Sequence, residues 1–259
     1  MIMTFDIGNT NIALGVFQAK KLLASWKVKS DREKTADEYG LILCNLLGYE
    51  KLSCQKIKGA IISSVVPPIT PVIEQALERF FSVKPLVVGS GLKTGMPILY
   101  ENPAEVGSDR IVAACAAYKK YGGPCLVVDF GTATTFDAIS PAGEYLGGSI
   151  APGIQISAEA LYLRTARLPR IEIKKPRTAI GRNTVSSMQS GLYFGYIGLV
   201  SQIIVAMSAE LQSKPVVIAT GGQADLIAPD IKAIDYFEPS LVLEGLRLLY
   251  EKNRPREKK

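Results

Sequence analysis

The chain has 259 residues, of which 47% are hydrophobic and 21% charged, a globular composition long enough to bury a core as one large domain or two lobes. It contains 0 His, which excludes a Ser-His-Asp triad, a His-bearing zinc site and a His general base; any base must be a carboxylate, Lys, Tyr or Cys. The formal net charge is +6, but residues 251–259 hold five basic and two acidic side chains, so the body is only mildly basic. That balance suits a small anionic substrate, and no nucleic-acid-binding motif accompanies it.

The N-terminus runs directly into Met3-Thr4-Phe5-Asp6-Ile7, with no basic, cleavable leader ahead of it. Strand patterns follow at 12–17 and 22–28, and 35–48 reads as a helix with Tyr39, Ile42, Leu43, Leu46 and Leu47 on one face. A strand at 57–63, a helix at 68–81 and a strand at 85–88 complete the first half. Residues 93–102 are the best linker, punctuated by Gly95, Pro97 and then Pro103. Asn102-Pro103-x-Glu105 resembles a capped helix start, although Gly107 equally marks a break with the main helix beginning at Ser108. Strands are expected at 125–130, 134–140 and 144–150, then a helix near 154–164. A mostly helical stretch at 184–211, a strand at 216–219 and a closing helix at 239–253 finish the chain.

Within 184–211, residues 192–207 are the best membrane candidate. Ser201 and Gln202 interrupt them, and they fall short of the roughly 20 apolar residues a span requires, so they read as a buried helix and no membrane association is expected. Cys44, Cys54, Cys115 and Cys125 form no C-x-x-C pair. Together with the missing leader, this points to free thiols and a cytoplasmic location. The basic tail reads as a solvated, frayed terminus.

The most informative feature is an internal echo. Thr4-Phe5-Asp6-Ile7-Gly8-Asn9-Thr10-Asn11 returns 123 residues later as Val127-Val128-Asp129-Phe130-Gly131-Thr132-Ala133-Thr134. Each copy is an apolar strand ending in Asp, then Gly, then small polar residues and a second strand. The repeat predicts two similar lobes, 1–98 and 99–259, each a mixed sheet flanked by helices and each opening with a hairpin.

The echo also suggests chemistry. A strand-end Asp followed by Gly and small polar residues brings backbone N–H groups close to phosphate oxygens, and the Asp can hold Mg²⁺ directly or through water. One copy alone is equally an ordinary turn; two copies point to a bound triphosphate. Ala219-Thr220-Gly221-Gly222 follows an apolar strand and is either a flat seat for a nucleotide or a plain turn. Asp109 and Arg110 lie near a helix N-terminus, where a carboxylate can accept the proton of an attacking hydroxyl and a guanidinium can hold a substrate carboxylate. The pair also reads as an ordinary surface ion pair. Small polar residues from Gly181 to Gly191 suggest ligand or partner contact, with Asn183 or Thr184 as a helix cap.

The motifs Asp6-Ile7-Gly8-Asn9-Thr10-Asn11, Gly107-Ser108-Asp109-Arg110, Asp129-Phe130-Gly131-Thr132, Gly147-Gly148-x-Ile150-x-Pro152-Gly153 and Asn183-Thr184-x-x-Ser187-Met188-Gln189-Ser190-Gly191 together resemble the type III pantothenate kinases. Ser108 stands where many relatives have Ala. The resemblance implies an α/β fold of two ribonuclease-H-like lobes, that of actin-like ATPases and sugar kinases. It implies ATP-dependent phosphorylation of pantothenate in coenzyme A synthesis, by a homodimer. It also implies that Asp6, Ile7, Gly8, Asn9, Thr10, Asn11, Ile12 and Ala13 bind ATP phosphates, with Asp6 near Mg²⁺ and Thr132 adding a contact. Asp109 would be the base. Tyr100, Gly107, Ser108, Asp109, Arg110 and Thr184 would contact pantothenate, and Asp129 would bind a monovalent cation, K⁺ or NH₄⁺. A non-enzymatic regulatory homologue, or a kinase for another small alcohol or carboxylate, is the alternative.

Overall fold

The computed structural model describes residues 1–254; the part of the basic tail beyond them lies outside the described residues. Contacts divide the chain into two compact units. The first comprises Met1–Gly95, Asn102–Ala116 and the chain from Leu241; the second comprises Met96–Glu101 and Ala117–Ser240.

The first unit opens with three antiparallel strands, β1 (Ile2–Ile7), β2 (Asn11–Gln18) and β3 (Lys21–Lys29), followed by β4 (Gly59–Ser64) and β5 (Leu86–Val87), which run parallel to β1. The order in the sheet is β3-β2-β1-β4-β5. Two helices cover it, α1 (Ala36–Tyr49) and α2 (Thr70–Phe81). Thr35 caps α1 in a capping box with Glu38, satisfying donors that the first turn leaves open. Tyr39, Leu43 and Leu47, spaced by four, turn inward, whereas Leu46 of the expected face is only partly buried.

The second unit repeats the plan. Strands β6 (Cys125–Phe130), β7 (Ala133–Ile139) and β8 (Tyr145–Pro152) are antiparallel; β9 (Val216–Thr220) and β10 (Tyr236–Phe237) run parallel to β6, in the order β10-β9-β6-β7-β8. Read from the parallel edge, the two sheets have the same connectivity. The sequence echo is therefore a repeat of a five-stranded topology and not only of a turn. β10 escaped the sequence reading because two residues carry no periodicity.

Two helices depart from the expected cut at 98/99. Asn102 caps a 3₁₀ turn at Pro103–Glu105, and the main helix, α3, runs Ser108–Tyr121, so Gly107 is a break. The first part of α3 belongs to the first unit, as does the closing helix α7 (Leu241–Asn253). α7 packs against β1, β2 and β4. Gly245 brings it close to α3; a Cβ there would stand 2.4 Å from the Val112 carbonyl oxygen. Long-range packing, invisible to chain order, decides the membership.

The helix α4 (Ile154–Arg164) leads toward α5 (Thr184–Glu210). α5 is long and apolar enough, by length and composition, to cross a membrane. Within its own unit the expected buried helix is buried along one side. Tyr193, Tyr196, Val200 and Ile204 form one buried stripe in the core of the second unit, while Val185, Phe194 and Val205 are exposed. The four cysteines are present as thiols.

Candidate active site

Parallel pairing sets Asp6 opposite Ser63 and Ile7 opposite Ser64 at the C-terminal ends of β1 and β4. Beyond Asp6 the chain turns tightly: the Gly8 N–H donates to the Asn11 carbonyl at 3.0 Å, and the Ser30 hydroxyl donates to the Gly8 carbonyl at 2.5 Å. The turn is anchored at its base, while Asn9, Thr10 and Asn11 at its tip are exposed; Ile12 is buried and Ala13 half-buried. A rigid exposed turn of this kind can present backbone to an anion.

The same end of the first unit carries the start of α3. The Ser108 hydroxyl lies 2.8 Å from that of Ser63, accepts from the Ser64 N–H at 3.2 Å, and is 3.3 Å from the Ser64 carbonyl. These bonds tie the first turn of α3 to the strand that pairs with Asp6. Asp109 follows. Its carboxylate accepts from the Arg110 N–H at 2.9 Å and folds back over Gly107, where a Cβ would stand 2.5 Å from Oδ1. Burial pushes the Asp109 carboxyl above its ordinary value, against the opposing pull of the Arg110 N–H and guanidinium. Arg110 itself is buried.

In the second unit Asp129 occupies the place of Asp6: it ends β6 opposite Thr220 of β9. Gly221, at φ +101°, passes so close that a Cβ would stand 2.4 Å from Asp129 Oδ1. A left-handed residue without a side chain is required there. Thr132 is exposed at the tip of the second turn, where the Gly131 N–H donates to the Ala133 carbonyl at 3.1 Å. Gly153, before α4, lets that helix start against the turn, since a Cβ would lie 2.3 Å from the Thr132 carbonyl oxygen. Thr184 is the first residue of α5, behind the Asn183 cap, whose carboxamide oxygen accepts from the Ser186 N–H at 2.9 Å. It lines an open cavity of about 780 Å³ with Leu161, Leu168, Arg182, Asn183 and Met188. Tyr100 is half-buried in the segment Met96–Glu101, which belongs to the second unit.

Sequence reasoning missed Ser63 and Ser64 as partners of Ser108, and Gly221 as the neighbour of Asp129. The polar pair that closes the apolar strand β4 was the available signal. Among the described residues no group of three or more Cys, Asp or Glu could hold a metal by itself. A cation at Asp6 or Asp129 would complete its shell with phosphate, carbonyl or water oxygens, the usual manner for Mg²⁺. The hard oxygen donors present fit that use.

The repeated sheets define the class: this is the fold of actin-like ATPases and sugar kinases. The inorganic polyphosphate/ATP-glucomannokinase from Arthrobacter sp. strain KM superposes with a TM-score of 0.50 at 15% identity, over 97% of this chain and 99% of that one. The family model described as type III pantothenate kinase matches residues 2–206. The type III pantothenate kinases of Moorella thermoacetica and Geobacter sulfurreducens are 54% and 53% identical over 98% of this chain and 100% of each relative. The chain belongs to the type III pantothenate kinase family.

Ser108→Ala is expected to lower the unfolding free energy by about 1 kcal/mol, because the Ser64 N–H loses its acceptor. Urea denaturation followed by circular dichroism measures it, and an unchanged midpoint would show that the tie carries no stability.

Proposed function

We propose that this protein transfers the γ-phosphate of ATP to the primary hydroxyl of pantothenate, giving 4′-phosphopantothenate, and that Asp109 is the general base. The reaction is that of the family, the first step of coenzyme A synthesis. The observation that carries the assignment of the base is the Asp109 carboxylate. It is held at the first turn of α3, tied through Ser108 to the strand beside Asp6, with its proton affinity raised by burial. A base whose pKa moves toward the working pH is a better proton acceptor.

In the proposed reaction Asp109 takes the hydroxyl proton as the pantothenate oxygen bonds to the γ-phosphorus. The bond from that phosphorus to the β,γ-bridging oxygen breaks, and ADP leaves. The turn from Asp6 to Ala13 holds the phosphates through its backbone, and Thr132 adds a contact from the second repeat. Mg²⁺ near Asp6, when bound, would neutralise charge on the phosphate oxygens. Little covalent help is needed; positioning and electrostatics supply most of the rate. Gly107, Ser108 and Arg110 place pantothenate beside the base, and the Arg110 guanidinium suits its carboxylate. Tyr100 and Thr184 contact the same substrate, and the cavity that Thr184 lines with Arg182, Asn183, Leu161 and Met188 supports the reading of Thr184. Asp129 holds a monovalent cation, K⁺ or NH₄⁺. Gly221 leaves that carboxylate unobstructed by a side chain. Dependence on ATP and a role in coenzyme A synthesis support a cytoplasmic location.

Asp109→Asn preserves shape and removes basicity, so turnover should fall by roughly 10² to 10⁴ while ATP still binds. In the unmutated enzyme only the ionised carboxylate works. The rate should therefore decline on acidification with an apparent pKa above the ordinary 3.8. Assays of ADP release with pantothenate across pH check both. Turnover within about threefold of wild type in the variant would assign the base elsewhere, and no pantothenate-dependent ADP release at all would favour a regulatory homologue.

Replacing Na⁺ by K⁺ or NH₄⁺ is expected to raise the rate, and Asp129→Asn to blunt that response. Steady-state assays at constant ionic strength read it; indifference of the unmutated enzyme to every monovalent cation refutes the role of Asp129.

The protein is further proposed to be a homodimer through α5. Phe194 and Val205, eleven residues apart and so on one face of α5, are exposed. So are Val185 on the same helix, Ile156 and Leu163 on α4, and Ile180 between the helices, and exposed apolar side chains of this kind suit a partner surface. Sedimentation at micromolar concentration should give a dimer, and Phe194→Asp should shift it toward monomer with loss of activity. A clean monomer of full activity would remove both the interface and its link to catalysis.

A further inference from the structure

The second unit buries one carboxylate almost completely. Asp137, on β7, is 1% exposed. A carboxylate in an apolar interior is tolerated only when hydrogen bonds satisfy it. Asp137 accepts from the Tyr145 hydroxyl at 2.6 Å and from the Thr135 hydroxyl at 3.3 Å. Tyr145, at the start of β8, is 0% exposed, so the carboxylate fixes a ring that has no freedom to leave.

That ring lies under the segment bearing Tyr100. The Leu99 N–H donates to the Tyr145 carbonyl at 2.8 Å, and the Tyr145 N–H donates to the Pro97 carbonyl at 2.8 Å. The side chains meet as well: the rings of Tyr100 and Tyr145 are 6.4 Å apart between centroids, tilted by 51°. Gly147, at φ +126°, lies beside the same Tyr100 ring; a Cβ on it would meet Tyr100 at 3.6 Å, an ordinary van der Waals contact. The backbone of Tyr145 thus holds residues 97–99, and its ring sets the angle of the Tyr100 side chain.

We infer that Tyr145, pinned by the buried carboxylate of Asp137, is a positioning residue that fixes Tyr100 for pantothenate and so tunes affinity for that substrate and not the phosphoryl-transfer step. This rests on the reading of Tyr100 as a pantothenate contact. An apolar residue at 137 would pack in the same interior but would leave the Tyr145 hydroxyl without its acceptor. The polar pair therefore buys orientation.

The test is a double-mutant cycle on the full-length enzyme. Tyr145→Phe keeps the ring and its volume and removes the bond to Asp137. It is expected to raise the KM for pantothenate roughly threefold to tenfold, the value of one buried hydrogen bond, with kcat and the KM for ATP within about twofold. Asp137→Asn retains an acceptor oxygen and should show a smaller rise. In a Tyr100→Ala background, itself raised in KM, Tyr145→Phe should add nothing, because the group it positions is gone. If Tyr145→Phe leaves the KM for pantothenate unchanged while Tyr100→Ala raises it, the inference is overturned and the reading of Tyr100 stands. An equal rise in both backgrounds also overturns it. If Tyr100→Ala has no effect on that KM, the reading of Tyr100 fails and the inference with it. A lowered melting temperature without the pantothenate-specific rise would mean that the pair is only structural.

Discussion

A strand that must end in a carboxylate constrains each half of this protein. Asp6 and Asp129 close the central strands of two sheets with identical connectivity, each at a position where the parallel neighbour also turns polar, Ser63 in one case and Thr220 in the other. Central strands are buried on both faces, so polar groups are admissible only at their ends. There the strand-end carboxylate meets open turns and departing helices, and the glycines that follow remove the side chains that would obstruct it. Gly221 against Asp129 is the clearest instance, since any Cβ there would collide with the carboxylate. The sheet's interior demands apolar strands and the strand ends collect the oxygens, the segregation on which the proposed phosphate site rests.

The same logic sets the electrostatics of Asp109. Burial alone favours the neutral acid, whereas the Arg110 N–H, the Arg110 charge and the positive end of α3 favour the anion. Burial outweighs them, so the group holds a proton more readily than a solvated carboxyl. Gly107 is part of this balance, because it gives the carboxylate room to fold over the helix start. Ser108 is the mechanical counterpart. A helix N-terminus fixed to β4 by a single hydroxyl with three short contacts cannot drift from the strand that pairs with Asp6.

Much of the fold was legible in sequence because its signals are local. The Asp-x-Gly echo, the alternation in the hairpins and the Asn183 cap each lie within a few residues of what they specify. The sheet plan followed from the echo once each copy was read as a strand, a turn and a second strand. What escaped was set by tertiary register. The Ser63-Ser64 pair marks a polar strand end but does not name Ser108 as its partner, and nothing near Gly221 announces Asp129. The two-residue strand β10 has no period to detect, and the membership of α3 and α7 in the first unit is written in packing across more than a hundred residues. Asp137 carries no local signal; only its burial beside Tyr145 marks it out.

The helix α5 shows why composition alone misjudges burial. Its sequence is apolar on nearly every side, which suggests either a core position or a lipid span. The structure divides it. Tyr193, Tyr196, Val200 and Ile204 interlock with the strands of the second sheet, and the Tyr193 hydroxyl donates to the Leu226 carbonyl at 3.2 Å. A helix committed along one stripe to a mixed sheet with polar ends cannot lie in a bilayer without dragging that sheet along, and a sheet with open edges leaves backbone groups that hydrocarbon cannot satisfy. Phe194 and Val205, exposed on the other side, are the part of the helix that the proposed dimer would cover. The Asn183 cap and Thr184 sit at the head of this same helix, beside the cavity. If Thr184 contacts substrate and α5 forms the interface, as proposed, covering the apolar stripe would couple assembly to substrate binding through one helix.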